Sequence, residues 1–294
     1  MQEIKNRIQS IESTRQITRS MRLVSTSKVQ RVRTRMAENR PFFREAEALI
    51  QAAGQLLAGE NHPYFAKREG EKTAVVAICG DRGLCGGYNV NVIKELGGLV
   101  RTLDKNETKI ITIGQKARDY GRRRFSSMLA QSFVNISENP FFQDAQDIAA
   151  LLLDWYNTGV IDRVYVVYTR FETMLSHIPT TRQILPLAWA APEGEEPARM
   201  EPHIHVDPHV HVVRSEPEGP ELLDHAVPHY LSALLYNAIL ESATCEQSAR
   251  ISSMDAAARN ADDMIDTLTL KYNQIRQDAI TQELVEIVGG ANAV

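Results

Sequence analysis

The chain has 294 residues and a formal net charge of −4, which fits one or two globular domains and does not point to a polyanionic partner. Its three cysteines are too few and too scattered for a disulfide framework, and they indicate reduced thiols in the cytoplasm. We expect no secretory signal peptide and no membrane-spanning helix, because the N-terminus is charged and no apolar run approaches about eighteen residues.

Residues 2–57 are predicted to form one long helix. Their apolar side chains recur at steps of three or four, which is the period of one helical face. The predicted face consists of Ile4, Ile8, Ile11, Ile17, Met21, Val24, Val29, Val32 and Met36. Pro41 is expected to bend or restart the helix, and Gly59 is a natural stop. At about 1.5 Å per residue, this helix would be roughly 84 Å long.

The middle of the chain alternates short apolar runs with helical patterns. The predicted strands are 73–79, 109–114, 133–136 and 163–168, with an edge strand within 169–187; the predicted helices are 90–103, 115–124 and 144–156. Continuous apolar runs of this length are typical of buried parallel strands. The alternation predicts a small doubly wound, Rossmann-like α/β domain, which we assign to residues 73–215.

Residues 221–288 contain no glycine and are predicted to form a second, longer helix. Their apolar face continues through Ile251, Met254, Ala258, Ala261, Ile265, Leu268, Tyr272 and Ile275. A helix of roughly 100 Å cannot fold back into a compact core, so it must pair with another element. We predict an antiparallel coiled coil with residues 1–58, in which the longer C-terminal helix projects alone by roughly 18 Å.

Charge supports this pairing. Residues 1–44 carry 11 Lys and Arg against 3 Asp and Glu, whereas residues 221–288 carry 4 against 11. Exposed pairs contribute only about 0.2–1 kcal/mol each, so the apolar seam must supply most of the stability. A nucleic-acid arm is disfavoured, because no aromatic residue lies between Met1 and Pro41 and the acidic helix would neutralise the basic one.

Two stretches invite other interpretations. The glycine-rich turn at 80–89 follows a predicted strand, as phosphate-binding turns do, but its glycine spacing fits no phosphate motif and Asp81 would occupy the anion's place. We prefer a tight packing turn and keep a nucleotide site as the alternative. A histidine-rich stretch could chelate zinc or nickel, yet prolines interrupt it and a solvated loop is preferred; its members are His203, His205, His209 and His211.

No catalytic set stands out in the sequence. Cys85 lies at the start of a predicted helix, where the pKa of a thiol can fall, so it is the remaining candidate for a reactive residue.

Three collinear segments carry a family resemblance. They are IKNRIQSIESTRQITRSMRLVSTSK at 4–28, DRGLCGGYN at 81–89 and NQIRQDAITQELVEIVGGANA at 273–293. Together they resemble the gamma subunit of F-type ATP synthases, and the resemblance covers essentially the whole chain. It is weakest between 189 and 215.

The resemblance implies a mechanical role. It implies a rotor shaft inside a ring of three alpha and three beta subunits, with a central domain that holds the epsilon subunit and rests on the c-ring. Ion flow through that ring would turn the shaft, and ATP would form on the beta subunits. The chain itself would be non-catalytic, with no cofactor, no metal and no nucleic-acid partner. It would lie at the cytoplasmic face of the bacterial cell membrane, attached only through the complex.

The resemblance also implies contact residues. Those expected to meet the beta subunits are Met21, Arg276, Gln277, Thr281 and Glu283, although Met21 fits a coiled-coil core position equally well. The projecting tip carries Ile280, Leu284, Val285, Ile287 and Val288, which would act as a bearing inside an apolar sleeve. Glu216 and Pro217 are expected near the rotor ring or the epsilon subunit.

A function of a different class stays open at this point. It is an α/β nucleotide-binding enzyme with a coiled-coil dimerisation arm, and micromolar ATP affinity of the chain without partners would favour it. A metal sensor is a third possibility, which would require tight zinc binding at His203 and His205.

Overall fold

The computed structural model describes residues 1–56, 62–66, 68, 70–187 and 220–291. The α-helices are α1 (Gln2–Leu56), α2 (Tyr88–Thr102), α3 (Gln115–Arg124), α4 (Phe142–Asn157) and α5 (Pro220–Ala291). The β-strands are β1 (Thr73–Ile78), β2 (Thr108–Ile113), β3 (Leu129–Phe133), β4 (Arg163–Phe171) and β5 (His177–Leu185).

The five strands form one sheet in the order β3-β2-β1-β4-β5. The first four are parallel, and β5 runs antiparallel to β4 at the edge. The register places Val75 between Ile110 on one side and Tyr165 on the other. Every residue of β1 is buried, which explains why its sequence reads as an unbroken apolar run.

Helices cover both faces of this sheet. On one face, Val75 and Ala77 share a core with α2 and with Ala117 of α3. On the other face, Ala74, Val76 and Ile78 share a larger core with α4 and with the parts of α1 and α5 nearest the domain. The predicted fold class is therefore confirmed: a doubly wound domain is joined to a long antiparallel pair of terminal helices.

One local prediction was wrong, and another was wrong in one of its two alternatives. The short strand predicted at 133–136 lies earlier, at Leu129–Phe133, because Asn135 has a left-handed φ of 65° that ends the strand. Pro41 does not restart the first helix, which continues through it, and a bend at Pro41 stays a prediction. The residues that follow Pro41 are held in place by packing. The ring centroids of Phe43 and Tyr230 of α5 are stacked 6.2 Å apart, and Ile50 is buried in the larger core.

The division into residues 1–58, 73–215 and 221–288 stays a prediction. The helices and strands above fall within those ranges, apart from the ends of α5, which begins at Pro220 and extends to Ala291. Residues 57–61 and 188–219 lie outside the described part of the chain.

Candidate functional site: the helical axle and its tip

The seam between α1 and α5 follows a repeat of 3.5 residues. Along α1 the less exposed positions of the seam follow one another at steps of three or four residues, and they are Ile4, Ile8, Ile11, Arg15, Thr18, Met21, Ser25, Val29, Val32 and Met36. Such a repeat keeps one face of each helix against its partner. Nearer the domain, Val32 packs with Leu240 and Ala243 of α5.

The seam prediction was wrong at two positions of α1. Ile17 and Val24 are 58% and 56% exposed, and the buried positions are their neighbours Thr18 and Ser25. One residue is a turn of about 100° around a helix, so an error of one position moves a side chain off the seam. Together with Leu23, which is 64% exposed, Ile17 and Val24 leave α1 with an apolar outer surface.

The seam of α5 matches the sequence prediction. Met254, Ala258 and Ala261 are buried, and Ile265, Leu268, Tyr272 and Ile275 are half-buried. The small alanines at this level suit a close approach of the two helices, which is also where Thr18 and Ser25 lie on α1. Small side chains therefore line much of the seam at this level on both helices.

Ion pairs flank the seam, as the charge asymmetry predicts. Arg15 and Arg19 both bind Asp262 at 2.9 Å. Arg22 binds Asp255 at 3.2 Å, and Asp255 also pairs with Arg259 on its own helix. The hydrogen bond from Arg15 is the main reason that the pKa of Asp262 lies below its usual value. All these groups are partly exposed, so each pair contributes little on its own.

The register of these pairs defines the tip. Moving seven residues along α1, from Arg15 to Arg22, corresponds to moving seven residues back along α5, from Asp262 to Asp255. Continued to Met1, this register reaches about residue 276 of α5. Because α5 ends at Ala291, its last 15 or so residues extend beyond α1 by roughly 22 Å.

The projecting tip exposes apolar side chains. Ile280, Leu284 and Val285 are 49%, 58% and 65% exposed. Ile287 and Val288 belong to the same helix, but their side chains lie outside the described residues. An isolated helix with such a surface needs a covering partner.

The predicted contact residues divide between the tip and the seam. Arg276, Gln277, Thr281 and Glu283 are all exposed near the end of α5, and the hydroxyl of Thr281 donates to the carbonyl oxygen of Gln277 at 2.9 Å. Met21 is half-buried at the edge of the seam, about 35 residues of α5 from the tip by the same register. The structure therefore does not bring Met21 together with the other four.

Several sequence candidates fall outside the described residues. They are Glu216, Pro217, His203, His205, His209 and His211. Within the described residues, no group of His, Cys, Asp and Glu could hold a metal ion, and no helix is long and apolar enough to cross a membrane.

The glycine-rich turn holds a carboxylate where a nucleotide phosphate would bind. Asp81 follows β1 at the carboxyl edge of the sheet, the usual ligand position in doubly wound folds. Its Oδ1 accepts from the backbone N–H groups of Gln115 and Asn135 at 2.9 Å, and its Oδ2 accepts from the N–H and the hydroxyl of Ser137. Gln115 is the first residue of α3, so Asp81 satisfies the helix terminus that would otherwise attract an anion.

The three cysteines are free and buried, which contradicts a reactive role for Cys85. Burial raises the pKa of the Cys85 thiol, and the nearby Glu246 carboxylate raises it further. Burial likewise raises the pKa values of Cys79 and Cys245. The helix N-terminus was a misleading signal, because desolvation outweighs it in this packed environment.

Comparison with known proteins agrees with this geometry. The chain matches the family described as ATP synthase over residues 1–294. It is 40% identical to the ATP synthase gamma chain of Alkaliphilus metalliredigens, over all of this chain and 98% of that protein. The chain belongs to the ATP synthase gamma chain family. As a gamma chain it is a non-catalytic subunit of the central stalk, and catalysis is carried by the beta subunits.

Other relatives extend the comparison. This gamma chain is 37% identical to the sodium-ion-specific ATP synthase gamma chain of Acetobacterium woodii, over all of this chain and 98% of that protein. The fold is similar to the central stalk and c-ring structure of the Tetrahymena thermophila mitochondrial ATP synthase, with a TM-score of 0.60, 23% identity and coverage of 82% and 99% of the two chains. A Euglena gracilis mitochondrial ATP synthase structure gives a TM-score of 0.55 and 23% identity, with 96% and 95% covered.

Proposed function

We propose that this gamma chain is the rotor shaft of an ion-translocating ATP synthase, coupling ion flow through the membrane rotor ring to conformational cycling of the catalytic beta subunits. The observation that carries the proposal is the asymmetric axle. Two terminal helices pair along the length of α1, the α/β domain packs at one end, and an apolar single-helix tip projects from the other.

The proposal assigns a partner to each end. The tip lies inside a ring of three alpha and three beta subunits, where Arg276, Gln277, Thr281 and Glu283 meet the beta subunits. Ile280, Leu284 and Val285, continued by Ile287 and Val288, form the bearing surface. The exposure of the tip side chains supports this assignment, because an apolar sleeve would remove them from water.

The opposite end of the molecule faces the membrane. The parallel strands run toward the tip. Ser242 of α5 accepts a hydrogen bond from the backbone N–H of Thr169, in the second half of β4. Arg250, which is nearer the tip along α5, donates to the carbonyl oxygen of Gly83, in the turn that follows β1. The amino edge of the sheet therefore points away from the alpha and beta subunits. We assign the epsilon subunit and the c-ring to this end, at the cytoplasmic face of the bacterial cell membrane, and we propose Glu216 and Pro217 as contact residues for them.

Paired tip and domain variants test the proposal. Leu284→Ser and Leu175→Ser each replace an exposed leucine, one at the tip and one in the β4–β5 turn. Neither change should lower the free energy of unfolding by more than about 0.5 kcal/mol, because neither leucine is buried and serine costs only a few tenths of a kcal/mol at a helical position. Burying one leucine contributes about 1.5–3 kcal/mol, so Leu284→Ser should weaken binding to the assembled alpha and beta subunits about tenfold or more.

The control, Leu175→Ser, should bind those subunits as the unchanged chain does. Equal affinity of the two variants would contradict a tip enclosed by the ring. Failure of the unchanged chain to co-purify with alpha, beta, epsilon and c subunits would contradict the proposed function as a whole.

A further inference from the structure

A buried ion pair on α5 lies where the coiled coil leaves the α/β domain. Glu246 Oε1 accepts from Arg250 Nη2 at 2.6 Å, and the two side chains are only 0% and 6% exposed. Arg250 also donates through Nε and Nη2 to the carbonyl oxygen of Gly83, at 3.3 and 3.1 Å. A buried ion pair often adds little to stability, so the position and contacts of this pair are its informative features.

The glycine-rich turn is shaped to receive Glu246. A Cβ on Gly80 would lie 2.5 Å from the Glu246 carboxyl carbon and within 2.8 Å of both its oxygens. The carboxylate cannot move aside easily, because it is fully buried and held by Arg250. The absence of a side chain at residue 80 therefore lets α5 approach the end of β1 closely.

The same turn is tied to the neighbouring loop after β3. Asp81 and Ser137 exchange hydrogen bonds in both directions, from the Asp81 N–H to the Ser137 hydroxyl and from Ser137 back to the carboxylate. Glu138 then binds Arg82 at 2.6 Å. The two loops thus form one connected polar unit at the carboxyl edge of the sheet.

This unit also holds α1. Lys28 binds Glu138 at 3.2 Å, and Arg35 donates to the Asn139 side chain at 2.8 Å and to the Pro140 carbonyl oxygen at 3.0 Å. We call the whole network the clasp. It consists of residues 80–83, residues 137–140, the pair of Glu246 and Arg250, and the two α1 residues Lys28 and Arg35. It contacts both helices of the axle at one level.

The clasp lies between two other kinds of contact. On the domain side, the core shared by the helices and the sheet extends along α5 from Leu223 to Ile239. On the tip side, the ion pairs of α5 at Asp255 and Asp262 are made to α1 and not to the sheet. Among these contacts, the clasp is therefore the level nearest the tip at which the domain holds both helices of the axle.

We infer that the clasp fixes the rotational angle between the α/β domain and the axle, so that both turn as one body. Its residues are positioning residues, which hold the tip at a set angle relative to the end that faces the rotor ring. This inference rests on the proposed function and names the joint through which the torque passes.

Gly80→Ala tests the joint directly, with Gly98→Ala as its control. The added methyl group at residue 80 must displace the Glu246 carboxylate, whereas a Cβ at Gly98 meets nothing within 4 Å. Each variant is assembled into the complete synthase in vesicles, and the rates of ATP hydrolysis and ATP-driven ion transport are measured. Cys85, which is buried in the turn, reports displacement of the clasp through its alkylation rate.

We expect Gly80→Ala to accelerate alkylation of Cys85 and to lower the ratio of ion transport to hydrolysis about threefold or more, a typical effect for residues that couple distant parts of a protein. Gly98→Ala should change neither quantity. A merely structural role would reduce the amount of assembled complex and lower both rates together, leaving their ratio unchanged.

Arg250→Lys provides a second variant if Gly80→Ala fails to assemble. It keeps the positive charge but loses the two-nitrogen contact to Gly83. An unchanged ratio in an assembled variant, or unchanged Cys85 alkylation in Gly80→Ala, would overturn the inference. Failure of the unchanged chain to assemble with the other subunits would instead overturn the proposed function, so the two failures are distinguishable.

Discussion

Val24 and Val32 provide a matched test of the seam. Both are valines of α1, eight residues apart, yet Val24 is 56% exposed and Val32 only 4%. Both changes to alanine raise intrinsic helix propensity equally, by about 0.5 kcal/mol, so the difference between the two variants isolates packing.

The expected magnitudes follow from burial. Val32→Ala removes two carbon atoms from the cluster with Leu240 and Ala243, which costs about 1.6 kcal/mol of transfer free energy plus a cavity contribution, or about 2 kcal/mol in total. After the helix gain, the net loss is about 1.5 kcal/mol. Val24 is more than half exposed, so Val24→Ala loses less than half of that transfer free energy. The gain in helix propensity nearly cancels this loss, and the net change in the free energy of unfolding should stay below about 0.5 kcal/mol.

Urea unfolding of the purified chain, followed by circular dichroism, measures both changes from the shift in midpoint at constant slope. The free energy of unfolding should fall by about 1.5 kcal/mol in Val32→Ala and hardly change in Val24→Ala. Equal losses, or a larger loss in Val24→Ala, would refute the 3.5-residue seam and restore the apolar pattern read from the sequence.

The remaining predictions concern acid stability and the thiols. The folded-state pKa of Asp262 is lowered, so its ion pairs stabilise the fold above the ordinary aspartate pKa of about 3.9, and this contribution is lost as the pH falls through the lowered value. Between pH 7 and pH 3, the free energy of unfolding measured by urea titration should therefore fall less in Asp262→Asn than in the unchanged chain. An equal fall in both chains would argue against the pairing of Asp262 with Arg15 and Arg19. Cys79, Cys85 and Cys245 should resist alkylation in the native chain and react in urea, because they are buried with raised pKa values. Rapid native labelling of any of them, read by mass spectrometry, would show that its site opens.

The sequence predicted the architecture well, because periodicity and charge act over long segments. The buried strands β1 and β4 were visible as apolar runs, and the opposite charges of the terminal segments anticipated the pairs between Arg15, Arg22 and their aspartates. Lengths alone implied the projecting tip, since α5 is longer than α1.

Register and burial could not be predicted in the same way. Apolar residues at Ile17 and Val24 attract a pattern search, but the partner helix decides which face is covered, and it covers Thr18 and Ser25. The pair of Glu246 and Arg250 could be recognised as an ordinary surface pair four residues apart on a helix. Its burial depends on the glycine-rich turn, about 165 residues earlier in the chain, and no local signal reveals that contact.

The carboxylate of Asp81 gives the central domain a built-in counter-ion. A doubly wound sheet ordinarily leaves such a helix terminus open to phosphate. In this chain the N-terminus of α3 is already hydrogen-bonded to the side chain of Asp81. A nucleotide phosphate could therefore bind at this edge of the sheet only by displacing the Asp81 carboxylate from the N–H groups of Gln115 and Asn135.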